Sequence, residues 1–303
     1  MRGAFLYLSK QKDLRRWMET SPQARKLTSR FIAGLRLEDA LRVAGELRSS
    51  GILSSLDHLG ENVTTKAEAR AARDAYLNAL AALAAARLPS TISMKVTSLG
   101  LDLSPDLCRE NTDVLVRSAK EHGTRIEFDM EDSSYTDRNL ALVYEMRERH
   151  GDHVRAVIQA YLYRSEADIE ELSRRKIPVR LCKGAYNEPP SVAWPDKADV
   201  DANFVRLMKM LFERGHQPAI ATHDEAIVGQ AIATIRQKNI PPERFEFQML
   251  YGVGRPVQKI VLDRGFPLRL YLPYGAAWYP YFMRRLAERP ANALFLAKNL
   301  ARR

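Results

Sequence analysis

The segment "TISMKVTSLGLDLSPDLCRENTDVLVRSAKEHGTRIEFDMED", residues 91–132, decides the fold because it contains one complete unit of strand, helix and strand. Residues 91–99 and 124–132 alternate apolar and polar side chains, which is typical of β-strands. Residues 104–123 between them carry apolar side chains at the spacing of an amphipathic helix. The segment therefore predicts an α/β fold.

The same alternation of strand and helix occurs eight times along the chain. Strands are predicted at residues 51–59, 91–99, 124–132, 155–163, 177–186, 217–224, 245–253 and 267–275. The clearest helices are predicted at residues 64–88, 104–123 and 201–215. Eight strand-then-helix units with short connections predict a (β/α)8 TIM-type barrel. We expect one barrel domain over residues 1–303, with an N-terminal helical extension (1–48) packed on it and a tail helix after Pro290.

The composition argues against several classes of protein. No run of about 18 apolar residues could span a bilayer, so the sequence predicts a soluble, cytoplasmic protein. Cys108 and Cys182 are too far apart to suggest a disulfide or zinc framework, and no metal is expected. The net charge of +10 would suit nucleic acid, an anionic membrane or anionic ligands. Acids and bases are interleaved at helical spacing, however, which favours solvated helix faces.

Polar side chains lie near the carboxyl ends of the predicted strands. Alternate strand residues point to opposite faces, so these side chains would face the barrel axis, which barrels usually fill with apolar groups. The set is Asp57, Lys95, Asp129, Gln159, Arg180, Lys183, His223, Gln248 and Tyr271. Any one of them could be purely structural, but their convergence at one end of a barrel indicates a functional site. Its three cations, against one or two carboxylates, predict one or several anionic ligands.

Two adjacent arginines follow the last predicted strand, in "YGAAWYPYFMRRLAERPAN" (274–292). Pro280 suits the first turn of a helix, which would place Arg284 and Arg285 about one turn further on. Glu288 could bridge them on a surface helix, but this explains one arginine at most. Paired guanidinium groups are suited to bidentate binding of a carboxylate or a phosphate.

Five motifs in order resemble one known family. They are "VRLCKGAY" (179–186), "ATHD" (221–224), "FEFQMLYGV" (245–253), "YLPYG" (271–275) and "YFMRRLAERPAN" (281–292). Together they resemble the FAD-dependent proline dehydrogenases in their short, single-function form. The resemblance implies oxidation of L-proline to 1-pyrroline-5-carboxylate in proline catabolism, with hydride passed to FAD. It further implies a quinone-type electron acceptor and peripheral contact with the inner face of the cytoplasmic membrane.

The resemblance also implies a role for each matching residue. Asp129 would orient Lys95, and Arg180 would reach the reactive ring of the flavin. The substrate-binding residues would be Lys95, Leu250, Tyr271, Arg284 and Arg285. The cofactor-binding residues would be Met130, Gln159, Arg180, Lys183, Gly184, Ala185, Lys197, Thr222, His223 and Glu288. Glu61 would be a gate that pairs with Arg284 when the site closes, and Trp194 is a candidate partner for the adenine.

Two other functions remain possible from the residues alone. Lys183 or Lys95 could form a Schiff base in a barrel lyase that binds a phosphorylated substrate through the paired arginines. A basic module that binds nucleic acid would instead show steep dependence on salt and no flavin. We expect no nucleic-acid partner, because the basic residues do not form one block.

Overall fold

In a computed structural model of the chain, the described residues are 28, 30–60 and 63–288, of which 284–288 are described by their backbone alone. Eight parallel strands, each paired with the next and the last with the first, form a closed barrel. The strands are β1 (Leu53–His58), β2 (Thr91–Met94), β3 (Ile126–Phe128), β4 (Val154–Gln159), β5 (Pro178–Cys182), β6 (His216–Ala221), β7 (Glu246–Leu250) and β8 (Leu268–Tyr274). The predicted (β/α)8 barrel is therefore confirmed.

Helices follow the strands and cover the outside of the barrel. They are α1 (Leu37–Ser49), α2 (Lys66–Ala85), α3 (Pro105–Glu121), α4 (Thr136–His150), α5 (Ser165–Arg174), α6 (Lys197–Arg214), α7 (Glu225–Gln237), α8 (Arg255–Leu262) and α9 (Trp278–Glu288). Short 3-10 turns lie at Thr97–Leu99, Ser133–Tyr135 and Pro242–Arg244. No helix in the described part of the chain combines the length and the apolar character needed to span a bilayer.

Local capping sets where several helices begin. Thr65 accepts a hydrogen bond from the Glu68 amide at 3.2 Å, and the Glu68 carboxylate accepts one from the Thr65 amide at 3.1 Å. Ser104 caps α3, whose first residue is Pro105. Caps of this kind stabilise a helix by about 1 kcal/mol each. The loops after β1 and β2 therefore end at Thr65 and Ser104.

The two faces of β2 show the predicted difference in polarity. Ile92 and Met94 are at most 1% exposed in the apolar layer between barrel and helices. Ser93 points the other way, and its hydroxyl lies 2.9 Å from the hydroxyl of Ser55 on the neighbouring strand β1. Each buried aliphatic side chain of the outer layer contributes about 1.5–3 kcal/mol. A slip of one residue in register would exchange the two faces, so the pattern also fixes the register.

The strands end earlier than the sequence predicted. The predicted strand 124–132, for example, contains β3 only over Ile126–Phe128. Alternation of polar and apolar residues continues past the last ladder hydrogen bonds, because side chains of the following loop still face either the cavity or the core. The residues that were predicted as strand but lie beyond the observed strand ends are therefore loop residues, among them Asp129.

The N-terminal extension is described only in part. Helix α1 packs on β1 and β8 through the buried residues Ala40, Val43 and Ala44. Residues 1–27 and the predicted tail helix after Pro290 lie outside the described residues.

Candidate active site

A cavity of about 630 Å³ lies at the carboxyl ends of the barrel strands. All nine polar residues predicted at strand ends line it: Asp57, Lys95, Asp129, Gln159, Arg180, Lys183, His223, Gln248 and Tyr271. The cavity is also lined by Met130, Gly184, Ala185, Thr222 and Leu250. The predicted convergence is thus observed, because the parallel strands bring every carboxyl end to one side of the barrel.

Arg180, on β5, is a fixed positive charge in this cavity and is 5% exposed. Its guanidinium donates to Asp129 Oδ1 at 2.6 Å and to Ser93 Oγ at 2.8 Å, and it also donates to Glu127. Burial alone would lower the pKa of Arg180. The carboxylates of Glu127 and Asp129 outweigh that effect and raise it above its usual value.

Asp129 joins two walls of the cavity. Its Oδ1 accepts from Arg180, and its Oδ2 accepts from the Tyr271 hydroxyl at 2.7 Å. Burial raises the pKa of Asp129 in spite of Arg180 and Lys95, and the charge of Asp57 adds to the rise. Both carboxylate oxygens are thus used by Arg180 and Tyr271, while Lys95 acts on Asp129 through its charge.

An ionic network continues below Arg180 into the barrel. Arg155 donates to Glu127 at 3.4 Å and also to Glu246. Arg269 donates to the same Glu246 carboxylate, from Nε at 3.0 Å and from Nη2 at 3.1 Å. Burial would raise the pKa of Glu127, but Arg180, Arg155 and Arg269 outweigh it and lower this pKa to about 2. Charged pairs thus occupy the position where barrels usually hold branched apolar side chains.

Two lysines and two aspartates form a second cluster at the cavity mouth. Lys183 donates to Asp201 and, at 2.9 Å, to Asp224, while Lys197 also pairs with Asp201. Asp224 additionally caps α7 by accepting from the Ala226 amide at 3.2 Å. The excess of positive charge is therefore smaller than the sequence predicted, because Lys183 and Arg180 each have two carboxylate partners.

The turn after β5 depends on a glycine. Gly184 has φ of +114°, and a Cβ at this position would lie 2.3 Å from the ring of Tyr161. Any side chain here would displace that ring or the turn. Glu188, further along the same loop, accepts from Ser133 through the backbone N–H at 2.7 Å and the hydroxyl at 2.6 Å. The loops after β5 and β3 are therefore tied together beside the cavity.

Hydrogen bonds to the backbone orient two further side chains of the cavity wall. His223 Nε2 accepts from the Leu250 backbone N–H at 3.0 Å, which assigns the proton of a neutral ring to Nδ1. Gln159 donates its amide N–H to the Glu131 carbonyl at 2.7 Å, which leaves its amide oxygen as an acceptor. Such fixed groups can recognise a polar ligand without first reorganising.

Some predicted residues are not among those that line the cavity in the described structure. Lys197 is the first residue of α6, beside Asp201. Arg284, Arg285 and Glu288 belong to α9, but their side chains are outside the described part, as is the whole of Glu61. Trp194 is 38% exposed and packs edge-on against Tyr163, with ring centroids 4.7 Å apart.

Comparison with known proteins gives the family of this barrel. Residues 40–298 match the family model described as proline dehydrogenase. The chain belongs to the proline dehydrogenase family. Proline dehydrogenase 1 of Bacillus subtilis (strain 168) is 38% identical over 303 residues, covering 100% of both chains. The proline dehydrogenase of Deinococcus radiodurans is 38% identical over 278 residues, covering 90% of each chain.

A solved structure of the family has the same fold. Proline utilization A (PutA) from Bdellovibrio bacteriovorus, inactivated by N-propargylglycine, superposes with a TM-score of 0.80 at 28% identity. The match covers 87% of this chain and 32% of that one, so the present chain spans about a third of that longer protein.

Membership of the proline dehydrogenase family confirms the resemblance found in the sequence motifs. It confirms the predicted class, an oxidoreductase of proline catabolism, and does not favour the lyase alternative. The match to the Bacillus relative over its whole length agrees with the short form of the family.

Sequence reasoning missed several charged residues of the site. Arg155 and Glu246 had a usable signal, because each occupies an axis-facing strand position two or more residues before a predicted site residue. Asp201 had none, since it lies on a helix 18 residues from Lys183. Its place beside Lys183 depends on how α6 packs on the barrel.

Proposed function

We propose that this protein binds FAD and uses it to oxidise L-proline to 1-pyrroline-5-carboxylate. The observation that carries the proposal is the buried chain of Tyr271, Asp129 and Arg180 in the cavity of a chain of this family. The cavity volume, about 630 Å³, lies within the range of roughly 300–1,000 Å³ that ligand sites occupy.

The cavity wall formed by β4, β5 and β6 fits a flavin. Gln159 offers an amide oxygen, and the positive φ of Gly184 lets the backbone approach a ligand closely. Arg180 Nε is buried without a hydrogen-bond partner in the described structure, so one donor is available for a ring nitrogen. Bound FAD would supply the hydride acceptor, because no side chain accepts hydride.

The opposite wall fits the substrate. Tyr271 and Leu250 would enclose the pyrrolidine ring, and Lys95 would contribute positive charge for the carboxylate. Helix α9 begins four residues after β8 ends, at the same end of the barrel, which supports Arg284 and Arg285 as the carboxylate clamp. A clamp at one end and apolar walls at the other would fix which face of the ring meets the acceptor.

The remaining roles rest on the family resemblance. Met130, Ala185, Lys183, Thr222 and His223 would contact FAD, since each lines the cofactor side of the cavity.

Further from the ring, Lys197 would lie by the pyrophosphate, and Glu288 would reach the adenosine side or steady Arg285. Glu61 would act as the gate for Arg284. The electrons would pass to a quinone, and the net charge of +10 is compatible with peripheral contact with an anionic membrane.

A spectrum of the purified protein tests the proposal. We expect flavin absorbance that bleaches anaerobically on addition of L-proline. A colourless protein, or flavin that stays oxidised with proline, would contradict the proposal. Trapping of the substrate by borohydride on Lys183 or Lys95 would instead establish the lyase alternative.

Substitution of the clamp tests the substrate side. Arg284→Met and Arg285→Met should each raise KM for proline at least about tenfold, because a charge-assisted hydrogen bond is lost, while flavin stays bound. Arg264, an exposed arginine just after α8, provides the matched control, and Arg264→Met should leave KM unchanged. Unchanged affinity in both clamp variants would remove these arginines from the site.

A further inference from the structure

Asp57 is a buried carboxylate that has no hydrogen-bond partner among the described residues. It lies on β1, is 1% exposed and lines the cavity. Neither of its carboxylate oxygens has a hydrogen-bond partner within the described structure. A buried carboxylate without donors is costly, so Asp57 calls for a donor beyond the residues that the structure describes.

The other aspartates of the cavity differ from Asp57. Asp129 already accepts hydrogen bonds from Arg180 and Tyr271, one on each oxygen. Asp224 accepts from a lysine and from backbone amides at the start of α7. Among the described aspartates that line the cavity, Asp57 is therefore the one with both oxygens open to a ligand.

Asp57 lies on the side of the cavity proposed for the substrate. In the barrel it stands level with Ser93 on β2 and with Pro273 on β8. Its charge acts on Tyr271, whose pKa is raised first by burial, then by Asp129 and by Asp57. The same strands carry or precede the residues proposed to bind proline, so the carboxylate lies among them.

We propose that Asp57 accepts a hydrogen bond from the amine nitrogen of the substrate and thereby selects ligands that carry an N–H group at this position. This inference rests on the proposed function. Proline has two polar groups, and the cations proposed above account for its carboxylate alone. The nitrogen lies one carbon away and carries an N–H in both its charged and its neutral form, so it can donate to Asp57 in either.

The contact also distinguishes substrate from product. Oxidation of the neutral amine would remove a hydride from the adjacent ring carbon, for which bound FAD would supply the acceptor, and the resulting iminium would release its N–H proton to solvent. The imine nitrogen that remains has no N–H to donate. Asp57 would therefore bind the substrate and not the neutral product, which favours product release.

Asp57→Asn in the flavin-loaded enzyme tests the inference with two ligands. One is L-proline, and the other is tetrahydrofuran-2-carboxylate, in which an oxygen replaces the amine and no N–H remains. We expect kcat/KM for proline to fall about 10- to 100-fold, as for a lost hydrogen bond to a charged group. The inhibition constant of the oxygen analogue should stay unchanged. The inference would be overturned if the substitution weakened both ligands equally, or if it affected neither kcat/KM for proline nor the inhibition constant of the analogue.

Thermal stability separates this role from a structural one. Removing an unpartnered buried charge should leave the unfolding midpoint of Asp57→Asn unchanged or raise it. The matched control is Asp168→Asn on α5, a buried aspartate that accepts from Arg164 Nε at 2.8 Å and Nη2 at 3.0 Å. Asp168→Asn should lower the unfolding midpoint and leave kcat/KM for proline unchanged.

The outcomes also distinguish the two proposals. If Asp57→Asn lowered the unfolding midpoint but kept the wild-type preference for proline over the oxygen analogue, Asp57 would be structural. That outcome would overturn this inference and leave the proposed function standing. A wild-type enzyme whose flavin proline does not reduce would overturn the proposed function and this inference together. Asp57→Ala, which removes the acceptor altogether, should lose at least as much kcat/KM as Asp57→Asn.

Discussion

Replacing Glu127 by glutamine should destabilise the barrel from its centre. The Oε1 atom of Glu127 accepts from the Thr91 hydroxyl at 2.6 Å, and Oε2 accepts from Gln248 Nε2 at 3.2 Å. Arg155 and Arg180 also donate to this carboxylate. The amide of glutamine would turn an N–H group toward one of these donors and would remove the charge that both guanidiniums need.

The size of the effect follows from the burial of Glu127, which is 0% exposed. Breaking a buried ion pair by removing one partner costs about 3–5 kcal/mol, because the other charge stays buried without compensation. The entropy of unfolding, about 2.1 cal/mol/K per residue, applies here to 303 residues. The expected loss in midpoint is therefore about 5–8 °C. Turnover should also fall, since Arg180 would lose one of its two carboxylate partners.

Thermal unfolding measured by circular dichroism and by flavin release would test this prediction. Glu213→Gln provides the control, because Glu213 forms an exposed ion pair with Lys238 at 2.9 Å. Exposed pairs contribute little to stability, so the control should keep the wild-type midpoint. If Glu127→Gln also kept the wild-type midpoint and turnover, the network would not support Arg180, and the reasoning would be refuted.

Three further predictions concern the same site. Tyr271→Phe leaves Asp129 Oδ2 without its donor at 2.7 Å, so kcat/KM for proline should fall about 10- to 100-fold with flavin retained; unchanged kinetics would contradict this. Gly184→Ala places a Cβ 2.3 Å from the Tyr161 ring, so flavin should dissociate more readily in equilibrium dialysis, unless the turn has no part in binding. The lowered pKa of Glu127 stabilises the fold above its ordinary value of 4.5, and this stability is lost as the pH falls toward about 2. Between these pH values, acid titration should therefore show a smaller loss of folding stability for Glu127→Gln than for the wild type. Equal losses of stability would contradict the lowered pKa of Glu127.

The sequence determined the architecture of this protein because architecture follows from local periodicity. A period of two residues in the strands and of about 3.6 in the helices can be recognised within a dozen residues. The eight strands and the convergence of Asp57, Lys95, Asp129, Arg180 and Tyr271 follow from that periodicity, since parallel strands in a closed barrel place their carboxyl ends together.

Only the tertiary structure decided which charges pair. Arg180 bonds to Asp129, 51 residues away, and Gln248 bonds to Glu127, 121 residues away. Lys183 could be predicted as a cation, but its partners Asp201 and Asp224 come from two other segments. Likewise, only the packed barrel shows that Asp57 has no hydrogen-bond partner among the described residues. A hydrogen bond acts over about 3 Å, whereas sequence patterns record direction and polarity, so partners are set by the packing of the whole barrel.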